Sequence, residues 1–267
     1  MLSQLSLDGK NIVITGAGTG LGKEMALAIA KAGGNLVLAA RRMDRISEVA
    51  EHARDSGVKA VAFSTDLTDT NQVVSLFNNA LEEFRHIDVL INNAGIVRGQ
   101  ASVPIWDISD TDWNIGIETN LSTAFYCSRA IAKHMVDRNQ GKIINVSSGF
   151  GLRGGRDNYM YSAAKGAVLQ LTRTLAISLG RYGVTSTCIV PGFIPTEGTS
   201  TLKETQPKNE FVPVGRVGMP HEIGPVAVFL ASDASNYMNG EIFAIDGGGL
   251  AGGFAPTGYA PKIDLRA

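Results

Sequence analysis

The sequence predicts an α/β fold: one doubly wound, seven-stranded parallel sheet with helices on both faces. Three observations carry this. Short β-branched or aliphatic runs alternate with longer helical patterns along the chain, as crossover connections between parallel strands require. The first such run passes directly into a glycine-rich turn that opens a helix. The 267 residues, 44% hydrophobic and 18% charged, also supply enough apolar side chain for a sizeable core.

The expected strands are 11–15, 35–40, 59–64, 88–92, 142–146, 186–190 and 241–245. After the first of them Leu21, Met25 and Ile29 recur at four-residue intervals, which places them on one helical face, and Gly33-Gly34 stops the pattern. Further helices are predicted over 44–56, 71–84, 110–134, 159–182 and 221–231. With no internal repeat and no linker, residues 1–267 are read as a single domain. Two segments break the alternation: 196–216, rich in Thr, Pro and charge, and the tail 250–267. The first is expected to be a substrate loop, since long loops in compact domains commonly serve function.

Charge excludes some partners. The 24 basic and 25 acidic residues leave a formal charge of −1, so no net field draws the chain to nucleic acid or to an anionic membrane. Cys127 and Cys188 sit in apolar settings, where a buried thiol in a reducing, cytoplasmic compartment is the expectation. No apolar run approaches a membrane span, and the N-terminal residues lack a basic region followed by an apolar stretch. His52, His86, His134 and His221 are scattered without ligand spacing, so no metal is expected.

The glycine-rich turn is Gly16-Ala17-Gly18-Thr19-Gly20-Leu21-Gly22. Glycines permit positive φ and close backbone approach, and the helix N-terminus beyond them offers unpaired N–H groups to a pyrophosphate. Glycines serve ordinary tight turns as well; the strand-to-helix junction is what points to a dinucleotide.

Tyr161 and Lys165 stand four apart in a predicted helix and share a face. A phenol with an unperturbed pKa of ~10 becomes useful for proton transfer if a neighbouring ammonium favours phenolate. The expected strand 142–146 ends in Ser147-Ser148, which puts a hydroxyl at the carboxyl edge of a parallel sheet, where ligands bind. Asn120 interrupts a helical pattern in which asparagine is a poor interior choice, hinting at a special task. Tyr159 offers a second phenol but has Ala163 four residues on, and reads as packing or pocket lining.

These residues resemble the short-chain dehydrogenase/reductase family, built on a single Rossmann domain. The resemblance runs from about Leu7 to Gly249 and rests on Thr15-Gly16-x-x-x-Gly20-x-Gly22, Asp66-Leu67, Asn92-Asn93-Ala94-Gly95, Asn120, Ser148, Tyr161-x-x-x-Lys165, Pro191-Gly192 and Asp246-Gly247-Gly248. It implies that Gly16, Thr19, Gly20, Leu21 and Gly22 hold the pyrophosphate and that Asp66 and Leu67 meet the adenine. By the same resemblance Asn92, Asn93, Ala94 and Gly95 border the adenosine ribose and steady the sheet. Lys165 would bind the nicotinamide ribose and lower the Tyr161 pKa, Ser148 would orient the carbonyl, and Asn120 would hold a relay water. Pro191, Gly192, Ile194 and Thr196 would grip the carboxamide. The implied reaction is hydride transfer between a nicotinamide and a carbonyl or secondary alcohol, in a homotetramer or homodimer. Within the family the chain looks most like 3-oxoacyl-carrier-protein reductases, with sugar or polyol dehydrogenases close behind. A cofactor-sensing binder without turnover is the reading from another class, disfavoured by the intact Ser148, Tyr161 and Lys165.

Cofactor choice turns on Ala40-Arg41-Arg42 at the end of the second strand. An acidic residue there would bond ribose hydroxyls and repel a 2′-phosphate, whereas arginine meets that phosphate with charge-assisted hydrogen bonds. NADP(H) is therefore the expected cofactor, with NAD(H) left open. Arg98, Arg153 and Arg156 either favour an anionic substrate or are solvated loop charges, so the sequence leaves the substrate unassigned.

Overall fold

The structure, a computed structural model, describes residues 2–96, 104–156, 158–197 and 212–251. Strands buried on both faces read as unbroken apolar runs, and β1 (Asn11–Thr15) is buried at all five positions. Its neighbours are β2 (Asn35–Ala40), with Val13 opposite Val37, and β4 (Val89–Asn92), with Val13 opposite Leu90. The remaining strands are β3 (Ala60–Ser64), β5 (Gly141–Val146), β6 (Val184–Pro191) and β7 (Ile242–Ile245). All seven are parallel in the order β3-β2-β1-β4-β5-β6-β7. The order reverses between β1 and β4, and ligands of open α/β sheets bind in the crevice such a reversal leaves at the carboxyl ends.

The helices are α1 (Gly20–Lys31), α2 (Met43–Arg54), α3 (Thr70–Phe84), α4 (Asp110–Ile117), α5 (Thr123–Asp137), α6 (Gly149–Leu152), α7 (Tyr159–Leu179) and α8 (Gly224–Ala231). Because side chains alternate along a strand, Ile12, Ile14, Leu36 and Leu38 pack with Met25 and Ile29 of α1 and Leu230 of α8 in one core. Val13, Val37 and Leu90 face the other side, against Phe77 of α3 and Ile131 of α5. The layers expected from sequence are therefore present on both faces.

Three helices differ from expectation in detail. The run 110–134 is interrupted by a π turn, Glu118–Ser122, between α4 and α5. The run 159–182 ends as a 3-10 turn, Gly180–Tyr182, and 221–231 begins as one, Pro220–Ile223, ahead of Gly224-Pro225. Among the described residues no helix is long and apolar enough to cross a membrane. Nor do the described residues hold a group of three or more His, Cys, Asp or Glu placed to bind a metal ion.

Candidate active site

The glycine-rich turn occupies the crevice between β1 and β4. Gly16 (φ 65°) and Gly20 (φ 56°) adopt the left-handed region that side chains avoid. A Cβ on Gly22 would collide with the Gly16 carbonyl oxygen and stand 2.6 Å from Asn93 Nδ2, so this glycine keeps α1 close to the strand end. Thr19, the N-cap of α1, makes no side-chain capping bond. The helix thus presents backbone N–H groups at a glycine cradle, and the residues fit a dinucleotide pyrophosphate.

Thr15 and Asn93 fasten this turn to β4. The Thr15 hydroxyl accepts from the N–H groups of Asn93 (3.0 Å) and Ala94 (3.1 Å). Asn93 Nδ2 donates to the carbonyls of Thr15 (3.0 Å) and Gly16 (3.1 Å). Asn92 differs from the expectation that it borders a ribose: its side chain is buried and Nδ2 donates to Asn145 Oδ1 at 2.9 Å. Strand alternation accounts for this, since adjacent residues point to opposite faces. Asn92 steadies the sheet, and Asn93 serves the turn.

The residues expected at the adenine and at the carboxamide follow the carboxyl ends of β3 and β6. Asp66 Oδ1 accepts from the Thr68 N–H (3.0 Å) and hydroxyl (2.8 Å), which hold its carboxyl below the usual range, and Arg41 adds to that lowering. Leu67 is core. Arg41 and Arg42 are exposed, and the Ser64 hydroxyl donates to the Arg41 carbonyl at 3.1 Å. The Gly192 N–H donates to the Ile245 carbonyl at 2.9 Å, and Thr196 sits against the turn, 3.2 Å from where a Gly20 Cβ would stand. The segment 198–211, most of the expected substrate loop, lies outside the described residues, as do Arg98 and the tail 252–267.

At the carboxyl end of β5 the two serines separate. Ser147 Oγ is buried and donates to the Lys165 carbonyl at 2.7 Å, whereas the Ser148 hydroxyl faces the Tyr161 phenol. Ser148 also caps α6 by accepting from the Phe150 N–H at 3.2 Å. Phe150, which sequence reasoning did not single out, meets the Tyr161 ring edge to face at a centroid distance of 6.5 Å. Its only signal was a place two residues after Ser148.

Lys165 stands one helical turn beyond Tyr161, and its Nζ donates to the Val146 carbonyl at 2.9 Å. That ammonium lies 5.8 Å from the Tyr161 ring centroid. Burial pulls the Lys165 amine down to about 8. Burial also pushes the Tyr161 phenol above its ordinary value, and the Ser148 hydroxyl beside it opposes this. The lowering of the phenol by Lys165 expected from sequence is not what this structure shows: burial sets the direction, and Ser148, not Lys165, opposes it.

Asn120 is at the centre of the π turn. Its Nδ2 donates to the Gly116 carbonyl (3.0 Å), and its Oδ1 accepts from the Ile96 N–H (3.0 Å). Gly95 makes that approach possible, since a Cβ there would stand 2.8 Å from Asn120 Oδ1 and 3.3 Å from Lys165 Nζ. Both ends of the amide are therefore committed to protein backbone. Each end uses one bond, and an amide has a second N–H and a second lone pair that the relay water expected from sequence could take.

A doubly wound sheet with a glycine cradle at its switch point and a Ser148–Tyr161–Lys165 cluster at its carboxyl edge defines an oxidoreductase of the dinucleotide-binding class. The chain belongs to the short-chain dehydrogenase family: the family model described as short chain dehydrogenase matches residues 10–207. It is 36% identical over 257 residues to a 2-dehydro-3-deoxy-D-gluconate 5-dehydrogenase of Escherichia coli K12, covering 94% of this chain and 99% of that protein. It is 36% identical over 246 residues to a 3-oxoacyl-[acyl-carrier-protein] reductase of Synechocystis, covering 91% and 98%. A gluconate 5-dehydrogenase of Burkholderia cenocepacia, solved with NADP and tartrate, superposes with a TM-score of 0.88 at 33% identity, covering 94% and 98%.

Proposed function

We propose that the protein interconverts a ketone and a secondary alcohol on a small sugar acid, using NADP(H). The observation that carries this reading is the convergence of the Ser148 hydroxyl and the Tyr161 phenol at the carboxyl edge of the sheet, with Lys165 one turn along α7 and its Nζ 5.8 Å from the Tyr161 ring centroid. The similarity to gluconate-type dehydrogenases supports the sugar acid. When bound, the nicotinamide supplies the hydride to the carbonyl carbon, or takes it from the alcohol carbon. Tyr161 Oη gives its proton to the carbonyl oxygen in reduction and takes it back in oxidation. Ser148 orients that oxygen toward Tyr161. Gly16, Thr19, Gly20, Leu21 and Gly22 hold the pyrophosphate, Asp66 and Leu67 border the adenine, and Asn93, Ala94 and Gly95 border the adenosine ribose. Lys165 holds the nicotinamide ribose, and Pro191, Gly192, Ile194 and Thr196 hold the carboxamide end. Arg41 and Arg42, with Ala40 in place of an acid, receive the 2′-phosphate.

A cofactor-linked assay over gluconate-type acids, their keto forms, neutral polyols and 3-oxoacyl thioesters, run with NADPH and NADH, tests the reading. The highest kcat/KM is expected for a keto or hydroxy sugar acid with the phosphorylated cofactor. The similarity to a 3-oxoacyl-carrier-protein reductase favours the second reading, and a preference for thioesters would establish it instead. Cofactor binding without turnover on any member of the panel would point to a sensor.

We further infer a homotetramer or homodimer in the cytoplasm. Trp106 (82% exposed), Trp113 and Phe125 leave large apolar surface on and beside α4 and α5, which closed symmetry would cover. Sedimentation at micromolar concentration tests this: only a monomer of 28.2 kDa would overturn it.

A further inference from the structure

We infer a second ligand site at the amino-terminal edge of the sheet, opposite the catalytic cleft, where Lys142, Lys10 and Arg138 receive a small oxyanion of phosphate or carboxylate chemistry. The starts of the strands converge there on a cavity of about 380 Å³ lined by Lys10, Asp88, Arg138, Lys142 and Asp233. That volume suits a small ligand.

Three cations and two carboxylates line the cavity, and both carboxylates are already engaged. Asp233 pairs with Lys10 at 3.1 Å. Asp88 Oδ1 accepts from Arg138 Nη2 at 3.0 Å, and its Oδ2 accepts from the Asn11 N–H at 2.8 Å and lies 3.3 Å from His86 Nε2. Lys142 is the cation left over. It is nine-tenths buried, and its Nζ donates to a neutral acceptor, the Ser235 hydroxyl, at 3.0 Å. The Ser235 hydroxyl in turn donates to the Leu230 carbonyl at 2.8 Å. An ammonium carries three donors, so two remain for a ligand.

A buried charge without a counter-charge is costly, and burial accordingly pulls the Lys142 amine down to about 8, with Asp233 opposing and Lys10 reinforcing the shift. An oxyanion between Lys142 and Lys10 would supply the missing charge and accept the remaining N–H groups. Nothing in the proposed catalytic cycle uses these residues. The catalytic Ser148 follows the opposite end of the strand that carries Lys142, so the two sites are separated by the length of β5.

The test is calorimetric titration of the intact protein with inorganic phosphate and, in parallel, with acetate. The pH is kept well below 8, where the Lys142 ammonium is charged beside Lys10, Arg138, Asp88 and Asp233. Each titration is run with and without saturating NADP(H), because the dinucleotide cleft would itself take phosphate. Binding of one anion, indifferent to cofactor, is expected. Lys142→Gln should weaken it at least about ten-fold, the scale of one lost charge-assisted hydrogen bond, and Asp233→Asn should tighten it. Should Lys142→Gln fold poorly, Lys10→Gln and Asp233→Asn still test the opposite signs. Weaker binding of acetate than of phosphate would mark a phosphate site, and comparable binding a carboxylate site. Binding of neither anion, displacement by cofactor, or indifference to all three substitutions would overturn the inference.

Discussion

Lys165 and Ser147 are joined by a reciprocal arrangement: Lys165 Nζ donates to the carbonyl of Val146, and the hydroxyl of Ser147 donates to the carbonyl of Lys165. The two bonds, 2.9 and 2.7 Å, fix the end of β5 against α7 where Ser148 meets Tyr161. Lys165→Met removes the first bond and the ammonium together but retains most of the packed volume. A loss of turnover of roughly 10²-fold or more, with a raised cofactor KM, is expected from steady-state kinetics. A normal kcat in a folded variant would contradict the role given to Lys165.

Tyr161→Phe is expected to lower turnover by ~10²–10⁴-fold with cofactor affinity nearly unchanged, because it removes the proton and little volume. The pH dependence follows from burial, which holds the phenol above its ordinary value. Tyr161 is therefore protonated across the neutral range and ready to donate. Reduction should be nearly flat in pH there, while oxidation, which needs phenolate, should rise with pH. Both profiles are read from kcat/KM, and a reduction rate that falls from pH 6 to pH 8 in step with one ionisation would refute the assignment.

Asn120→Ala leaves the Ile96 N–H and the Gly116 carbonyl without their present partner. Losing a partner for buried groups costs ~1–3 kcal/mol, to be read from the denaturant midpoint. Turnover should fall further than stability predicts, since Gly95, Lys165 and Asn120 share one contact region.

Arg41→Ala should reduce kcat/KM with NADPH by at least about ten-fold and change that with NADH little, since only the former carries the 2′-phosphate. Equal losses with both cofactors would show that Arg41 acts on folding or on the common part of the dinucleotide.

Stability should rise with pH between about 8 and 9 and then level. Burial lowers Lys142 and Lys165 to about 8 each, below their unfolded values, so in this window the unfolded chain binds more protons than the folded one. From about 9 upward Cys127 and Cys188, raised to about 12 and about 11, act in the opposite sense, because their thiols ionise first in the unfolded chain. A net gain on the order of 1 kcal/mol is expected across the window, measured by urea unfolding at a series of pH values. A monotonic fall from pH 8 would show that these lysines are solvated.

The alternation of apolar strands and amphipathic helices, and the strand-to-helix glycine turn, made the sheet and the class of enzyme legible before any coordinates. These are local signals: period, cap and turn chemistry are written in neighbouring residues. The Tyr161–Lys165 spacing and the hydroxyls after β5 are equally local, so the core of the candidate site was visible too. By itself the sequence therefore determined the fold class and the class of enzyme, and it named Ser148, Tyr161 and Lys165, which the fold brings to one sheet edge. It placed Asn120 as a misfit but not as the centre of a π turn, because the partner of its Oδ1 is 24 residues away. Tertiary packing alone decided which serine faces Tyr161, which asparagine faces the turn, and that burial raises the phenol. It alone also left Lys142 buried beside a neutral hydroxyl 93 residues away. Each of these depends on which groups from distant segments share one desolvated space, and that is fixed only when the sheet brings its strand ends together.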